Sequence, residues 1–191
     1  MSLHPGLLLD KQHDPWPVDK KEQAEFPRMV LQQVAGQPEP AGLLASKRKL
    51  WQAAQGEGAI RWQAQTKAPL ALHLSRATAF ENAGLCLHPL YGFAYLPGSG
   101  LKGMARAFAL TVQGIKETER DFELVFGREA EKEEEGAAGY VVFHDAWPVS
   151  WPKLEVDIVN CHHGAYYREG EPPEDWEDPV PVNFLAVKPG A

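Results

Sequence analysis

The spacing of apolar positions switches from a strand period to a helix period near residue 97, and this switch organises the middle of the chain. Tyr91, Phe93 and Tyr95 alternate with Gly92 and Ala94, a period of two that predicts a short strand over Tyr91–Leu96 with all three aromatics on one face. Pro97-Gly98-Ser99-Gly100 interrupts it, and Leu101, Met104, Ala105, Phe108 and Ala109 then recur at helical spacing to about Gln113. Upstream, Pro5, Pro15, Pro17, Pro27, Pro38 and Pro40 break any long period. Residues 1–42 are therefore expected to form an extended arm with a short helix near Glu22–Gln33. A helix is predicted over Leu43–Gln55, strand-like alternation over Ile60–Leu74 and a loop or hairpin over Arg76–Pro89. Downstream, the pattern predicts a helix over Thr118–Phe126 and strands over Gly139–Trp147, Lys153–Val159 and Val180–Val187. The order β-α-β-β-β gives an α+β class, helices on one face of a mainly antiparallel sheet, with residues 43–191 as a single domain.

The Pro97–Gly100 turn carries candidate chemistry. Ser99 is a residue type that caps helix N-termini. Those termini expose unpaired N–H groups and partial positive charge. Gly98, Gly100 and Gly103 allow close backbone approach. Lys102 and Arg106 are four residues apart and share a helix face. Together these residues predict a socket for a phosphate. It is not a Walker loop, because the GxxxxGK[ST] spacing is absent. An ordinary strand–turn–helix with two solvated cations is the alternative.

Net charge is −7, which by itself speaks against nucleic acid. The distribution changes that picture. Residues 43–116 hold nine Lys/Arg, among them Lys47, Arg48, Arg76, Lys102 and Arg106, against two acids, for +7. The flanks carry −14, concentrated in Glu129–Glu135 and Glu169–Pro179, both expected to be solvated loops. Phosphate affinity follows local positive surface, and sequence spacing leaves open whether these cations form a single patch or scatter over several faces. No apolar run approaches the ~18 residues of a membrane span. Cys86 and Cys161 make neither a disulfide framework nor a paired-cysteine metal motif, so a cytoplasmic protein with reduced thiols is expected.

The run LHPLYGFAYLPGSGLKGMAR, Leu87–Arg106, resembles the signature of the RAMP superfamily of CRISPR proteins. The preceding Arg76–Glu81 and the flanking His88-Pro89 look most like the Cmr subunits of type III-B effector complexes. Phe126-Gly127 followed by Gly139–Ala146 resembles the family's FG…GxVxFxDA pattern, and Asp157–His163 with Tyr166-Tyr167 and Pro181–Leu185 resembles its later segment. The likeness runs from about Ser46 to the end. It implies a ferredoxin-like, RRM-like fold and a noncatalytic guide-RNA-binding subunit of a type III-B ribonucleoprotein. Such a subunit caps the filament near the 3′ end of the guide RNA, meets target RNA and neighbouring RAMP subunits, and serves defence against invading nucleic acid. On this resemblance Arg76, Gly98, Ser99, Gly100, Lys102, Gly103 and Arg106 hold phosphates; Lys47 and Arg48 are added from charge alone. The family also leads one to expect a further helix and strand after Val187.

Two other classes stay open: a guide-processing endoribonuclease of the same superfamily, and a protein-interaction module that does not touch RNA. His88 could pair with Lys102 for cleavage, although a histidine bonded to its own loop is the favoured role. The target-cutting relatives use an aspartate in the loop between first strand and first helix; here Arg76–Gly100 contains no Asp, only Glu81. No catalytic residue, metal or cofactor is therefore expected. Cys161-His162-His163 lacks the converging ligand set that a metal requires. Asp145 is expected to cap a turn, and Trp176 is assigned to a partner surface.

Overall fold

The computed structural model describes residues 3–72, 85–130, 135–161, 170, 172 and 180–190. It forms two compact units: residues 1–94 with 148–191, and residues 95–147.

The larger unit corrects the expectation of an extended arm. Helix α1 spans Pro5–Asp10 and helix α2 spans Lys20–Ala35. Asp19 caps α2, its Oδ1 accepting from the N–H groups of Lys21 (2.8 Å) and Glu22 (3.3 Å). Phe26, Val30, Leu31 and Val34 recur at helical spacing and are all buried. With Leu8 and Leu9 of α1 they pack against Leu185 and Val187 in one apolar cluster. Most prolines lie outside the helix and delimit it. Pro27 alone sits inside, where it removes the N–H that would reach the Gln23 carbonyl and its ring crowds that carbonyl, a cost of about 3 kcal/mol. The chain's first 42 residues thus supply core, because burying a stripe of four large apolar side chains outweighs that cost.

Helix α3 covers Leu43–Ala54, as the spacing predicts. Arg61 folds back onto its end, donating from Nε to Gln55 Oε1 (3.0 Å) and from Nη2 to the carbonyls of Gln52 (2.8 Å) and Gly56 (3.3 Å). The Ile60–Leu74 strand reduces to one antiparallel bridge, Leu70 to Val187, among the described residues.

The smaller unit holds helix α4, Gly98–Thr111, helix α5, Arg120–Phe126, and a short antiparallel pair, β1 (Gly127–Arg128) with β2 (Ala137–Ala138). The strand expected over Gly139–Trp147 contributes only an Ala146–Leu96 bridge. In the larger unit β3, Leu154–Cys161, pairs antiparallel with β4, Val180–Val187, in the register Leu154↔Val187 to Cys161↔Val180. Leu154 and Val156 of β3 turn toward the apolar cluster with Leu185 and Val187. The class is α+β with antiparallel strands; among the described residues the sheets are two-stranded.

Candidate nucleic-acid interface

The Pro97–Gly100 turn is built by its own chain. Helix α4 starts at Gly98, with Pro97 in the N-cap position and no side-chain cap, so Ser99 does not cap it. A carboxylate from elsewhere takes that place: Gly98 N–H donates to Asp145 Oδ1 at 2.7 Å. The segment carrying Asp145 crosses directly over the helix start. A Cβ at residue 98 would overlap the Phe143 carbonyl oxygen and lie 3.0 Å from the carbonyl carbon of His144. Residue 98 is buried and must be glycine because backbone passes there. The first amide of α4 is therefore committed to Asp145. This corrects the socket expected at that amide and makes Asp145 the turn cap that was anticipated.

The other motif residues face outward. Ser99, Lys102, Gly103 and Arg106 follow i, i+3, i+4, i+7 spacing and share one face of α4. Ser99, Gly100 and Gly103 are exposed, and a Cβ at 100 or 103 would meet nothing within 4 Å. No ion pair engages Lys102 among the described residues. Arg106 is held: its Nη2 lies 2.8 Å from Glu117 Oε1, and its guanidinium sits 5.5 Å from the Phe122 ring centroid. Both partners of the ion pair are more than a third exposed, at 39% and 57%. Such a pair contributes only about 0–1 kcal/mol and can be exchanged for a phosphate. Residue spacing alone does not show the Glu117 contact, which needs the turn after α4 to bring residue 117 back.

The FG…GxVxFxDA pieces assemble around this helix start. Phe126 stacks on Phe143 (centroids 5.9 Å apart) and meets Phe122 at a tilt (4.8 Å, 48° between planes). Gly127, at φ 85°, and Gly139 cross so closely that a Cβ on Gly139 would overlap the Val125 carbonyl oxygen. Both aromatic and glycine positions hold the Phe143–Asp145 segment in place over Gly98.

Lys47 and Arg48 lie on α3 of the larger unit. Lys47 Nζ sits 5.7 Å from the Tyr91 ring centroid, and Arg48 buries its Nε without a hydrogen-bond partner. His88 Nδ1 accepts from Leu90 N–H (3.2 Å) while its ring stacks on Tyr91 at 4.5 Å, which is the loop-bonding role favoured for it. Phe93 is 1% exposed and Tyr91 and Tyr95 are half-buried, so this aromatic row packs rather than forming an open platform. Arg76, His162, His163 and Trp176 lie outside the described residues. No described helix is long and apolar enough to cross a membrane.

Residues 58–188 match the RAMP superfamily. The chain is similar to the CRISPR system Cmr subunit Cmr6 of Pyrococcus furiosus, with 30% identity covering 68% of this chain and 54% of that protein. It thus spans about half the length of the curated relative it matches. Among solved structures, a chain in the cryo-EM structure of the Type III-B Cmr-beta bound to cognate target RNA matches with a TM-score of 0.61 and 18% identity, covering 90% of this chain and 58% of that one. That likeness shows a shared fold. The crystal structure of Cmr6 from Pyrococcus furiosus matches at 26% identity over 65% of this chain and 75% of that one, with a TM-score of 0.28.

Proposed function

Because the chain belongs to the RAMP superfamily, we propose that it is a noncatalytic RNA-binding subunit of a type III-B CRISPR ribonucleoprotein. The supporting observation is the outward face of α4, where Ser99, Lys102, Gly103 and Arg106 line up beside exposed backbone at Gly100 and Gly103. A hydroxyl, two cations and an unshielded helix surface suit contact with successive phosphates, which position a strand without reading its sequence. The similarity to a Cmr6 subunit supports a place in the effector complex. In this reading the protein has a ferredoxin-like RAMP core and caps the filament near the 3′ end of the guide RNA. It meets target RNA and adjacent RAMP subunits, and works in the cytoplasm in defence against invading nucleic acid.

Absence of chemistry is part of the proposal. It rests on the missing aspartate between Arg76 and Gly100 and on His88 being engaged with Leu90 and Tyr91. The test has two arms. Co-expressed with the products of its neighbouring genes, the chain should copurify with a short RNA. Alone, with or without Mg²⁺, it should leave single-stranded RNA intact. RNA-free assemblies would refute the binding role, and cleavage that disappears in His88→Ala would establish the endoribonuclease alternative.

A further inference from the structure

A second site lies in the larger unit, at the open end of the β3–β4 ladder. Lys153 immediately precedes β3 and Lys188 immediately follows β4. The register Leu154↔Val187 sets the two lysines directly opposite each other, and Lys188 N–H donates to the Lys153 carbonyl at 2.8 Å. Their Cα atoms are then ~5.5 Å apart, with both side chains on one face. Leu154 and Val187 turn inward to the apolar cluster, so the lysines lie on the opposite face; Ala186 is buried on that face, but at its end both lysines are exposed. Like charges directly opposite across a ladder destabilise it. Neither ammonium has an ion-pair partner among the described residues. Glu155, two residues along the same face, makes no salt bridge to either.

Beside the pair lies a groove of about 270 Å³, lined by Ser150, Trp151, Pro152, Lys153, Lys188 and the Pro189-Gly190 turn. Its mixed lining suits a polar ligand with one flat apolar part. Trp151 is half-buried, and its ring is held edge-on by the fully buried Phe93 at 6.1 Å. A fixed, partly exposed indole is a stacking surface for a base. At the groove's far edge Gly190 N–H donates to the Thr66 carbonyl (2.9 Å), which brings Lys67, the next residue, to the same corner. The groove itself is lined by two lysines from segments far apart in the chain, Lys153 and Lys188.

We infer that this groove binds a single-stranded RNA segment, with one base stacked on Trp151 and the adjacent phosphates held between Lys153 and Lys188. Two cations at cross-strand spacing beside an aromatic platform are the elements by which sequence-tolerant single-strand sites work. An acidic peptide would satisfy the lysines but leave the indole without a partner, so RNA is the better fit. The inference deepens the proposed RNA-binding role and rests on it, yet it concerns different residues in a different unit from α4.

The experiment follows fluorescence anisotropy of a 5′-fluorescein decauridylate with the full-length chain from low to moderate KCl. Lys153→Ala with Lys188→Ala should weaken binding about ten-fold and lower the salt slope by roughly 1.4, the value for two phosphates on a single strand. Trp151→Leu should weaken binding about ten-fold with the slope unchanged, and Trp151→Phe, which keeps a ring against Phe93, should restore most of it. Wild-type affinity and slope in the lysine double variant would overturn the inference. If only Lys102→Ala with Arg106→Ala weakens binding, the groove is wrong and the α4 face stands. If only the groove variants do, the α4 assignment fails and the groove stands. If a fluorescein-labelled decaglutamate binds the groove and the decauridylate does not, the occupant is an acidic protein segment and the inference is overturned.

Discussion

The two compact units are held by different physics. The unit of residues 1–94 and 148–191 rests on apolar burial: Leu31 and Leu185 have no exposed surface and Val30 and Val34 almost none. The unit of residues 95–147 buries far less, with Ala109 and Phe122 its buried apolar side chains among the described residues. It relies on places where backbone passes against backbone, at Gly98 under Phe143 and at Gly127 beside Gly139. The part of the signature run from Tyr95 onward opens the second unit. Much of that motif is therefore structural, and its chemistry is left to the side chains that point away from those contacts.

The sharpest way to break this contrast is at residue 98. Gly98→Ala forces a Cβ into the Phe143 carbonyl, and because neither backbone can yield, a loss of more than about 4 kcal/mol is expected for residues 95–147. Hydrogen exchange should show protection lost across α4 while β3 and β4 stay protected. Uniform loss in both units would mean that they do not differ as described. Leu31→Ala reverses the pattern: a cavity in the apolar cluster should cost about 2–5 kcal/mol, seen as lost protection in α2 and β4. Asp145→Ala leaves the Gly98 amide without its charged acceptor and should cost about 1.5–3 kcal/mol, confined to the smaller unit. Gly103→Ala is the smallest and has the opposite sign. Its site is open helix surface, so a gain of ~0.5–1 kcal/mol in thermal unfolding is expected, and a loss would show hidden crowding at that face.

What the sequence revealed follows the same division. Periodicity located α3, α4, α5, β3 and β4 closely, because each has a sustained apolar stripe. In residues 1–42 it found the helix near Glu22–Gln33 that α2 contains but missed α1 and the packing of both helices into the core, because the surrounding prolines read as breakers of an extended arm. It also failed at Gly139–Trp147. Alternating Val141 and Phe143 imply a strand, but that segment pairs only through Ala146, and Val142 is 72% exposed. Local spacing put Lys102 and Arg106 on one face, which α4 bears out; the observed helix adds Ser99 and Gly103 to that face. It could not show that Asp145 reaches Gly98 across 47 residues, or that Glu117 holds Arg106, because those contacts depend on how the chain returns. Ser99 has the residue type of an N-cap, but α4 begins one residue before it, with Pro97 in the cap position. Lys153 and Lys188 flank two strands, and only the register makes them neighbours.

In the proposed function the outward face of α4 holds RNA phosphates and the buried start of the helix does not. The direct test compares wild type with Lys102→Ala/Arg106→Ala, measuring the affinity of single-stranded RNA against salt concentration and checking the fold by hydrogen exchange. Removing two phosphate contacts should flatten the slope of log affinity against log salt by about 1.4 and weaken binding alike for unrelated sequences, with α4 still protected. A folded double variant with the wild-type slope and affinity would contradict the account.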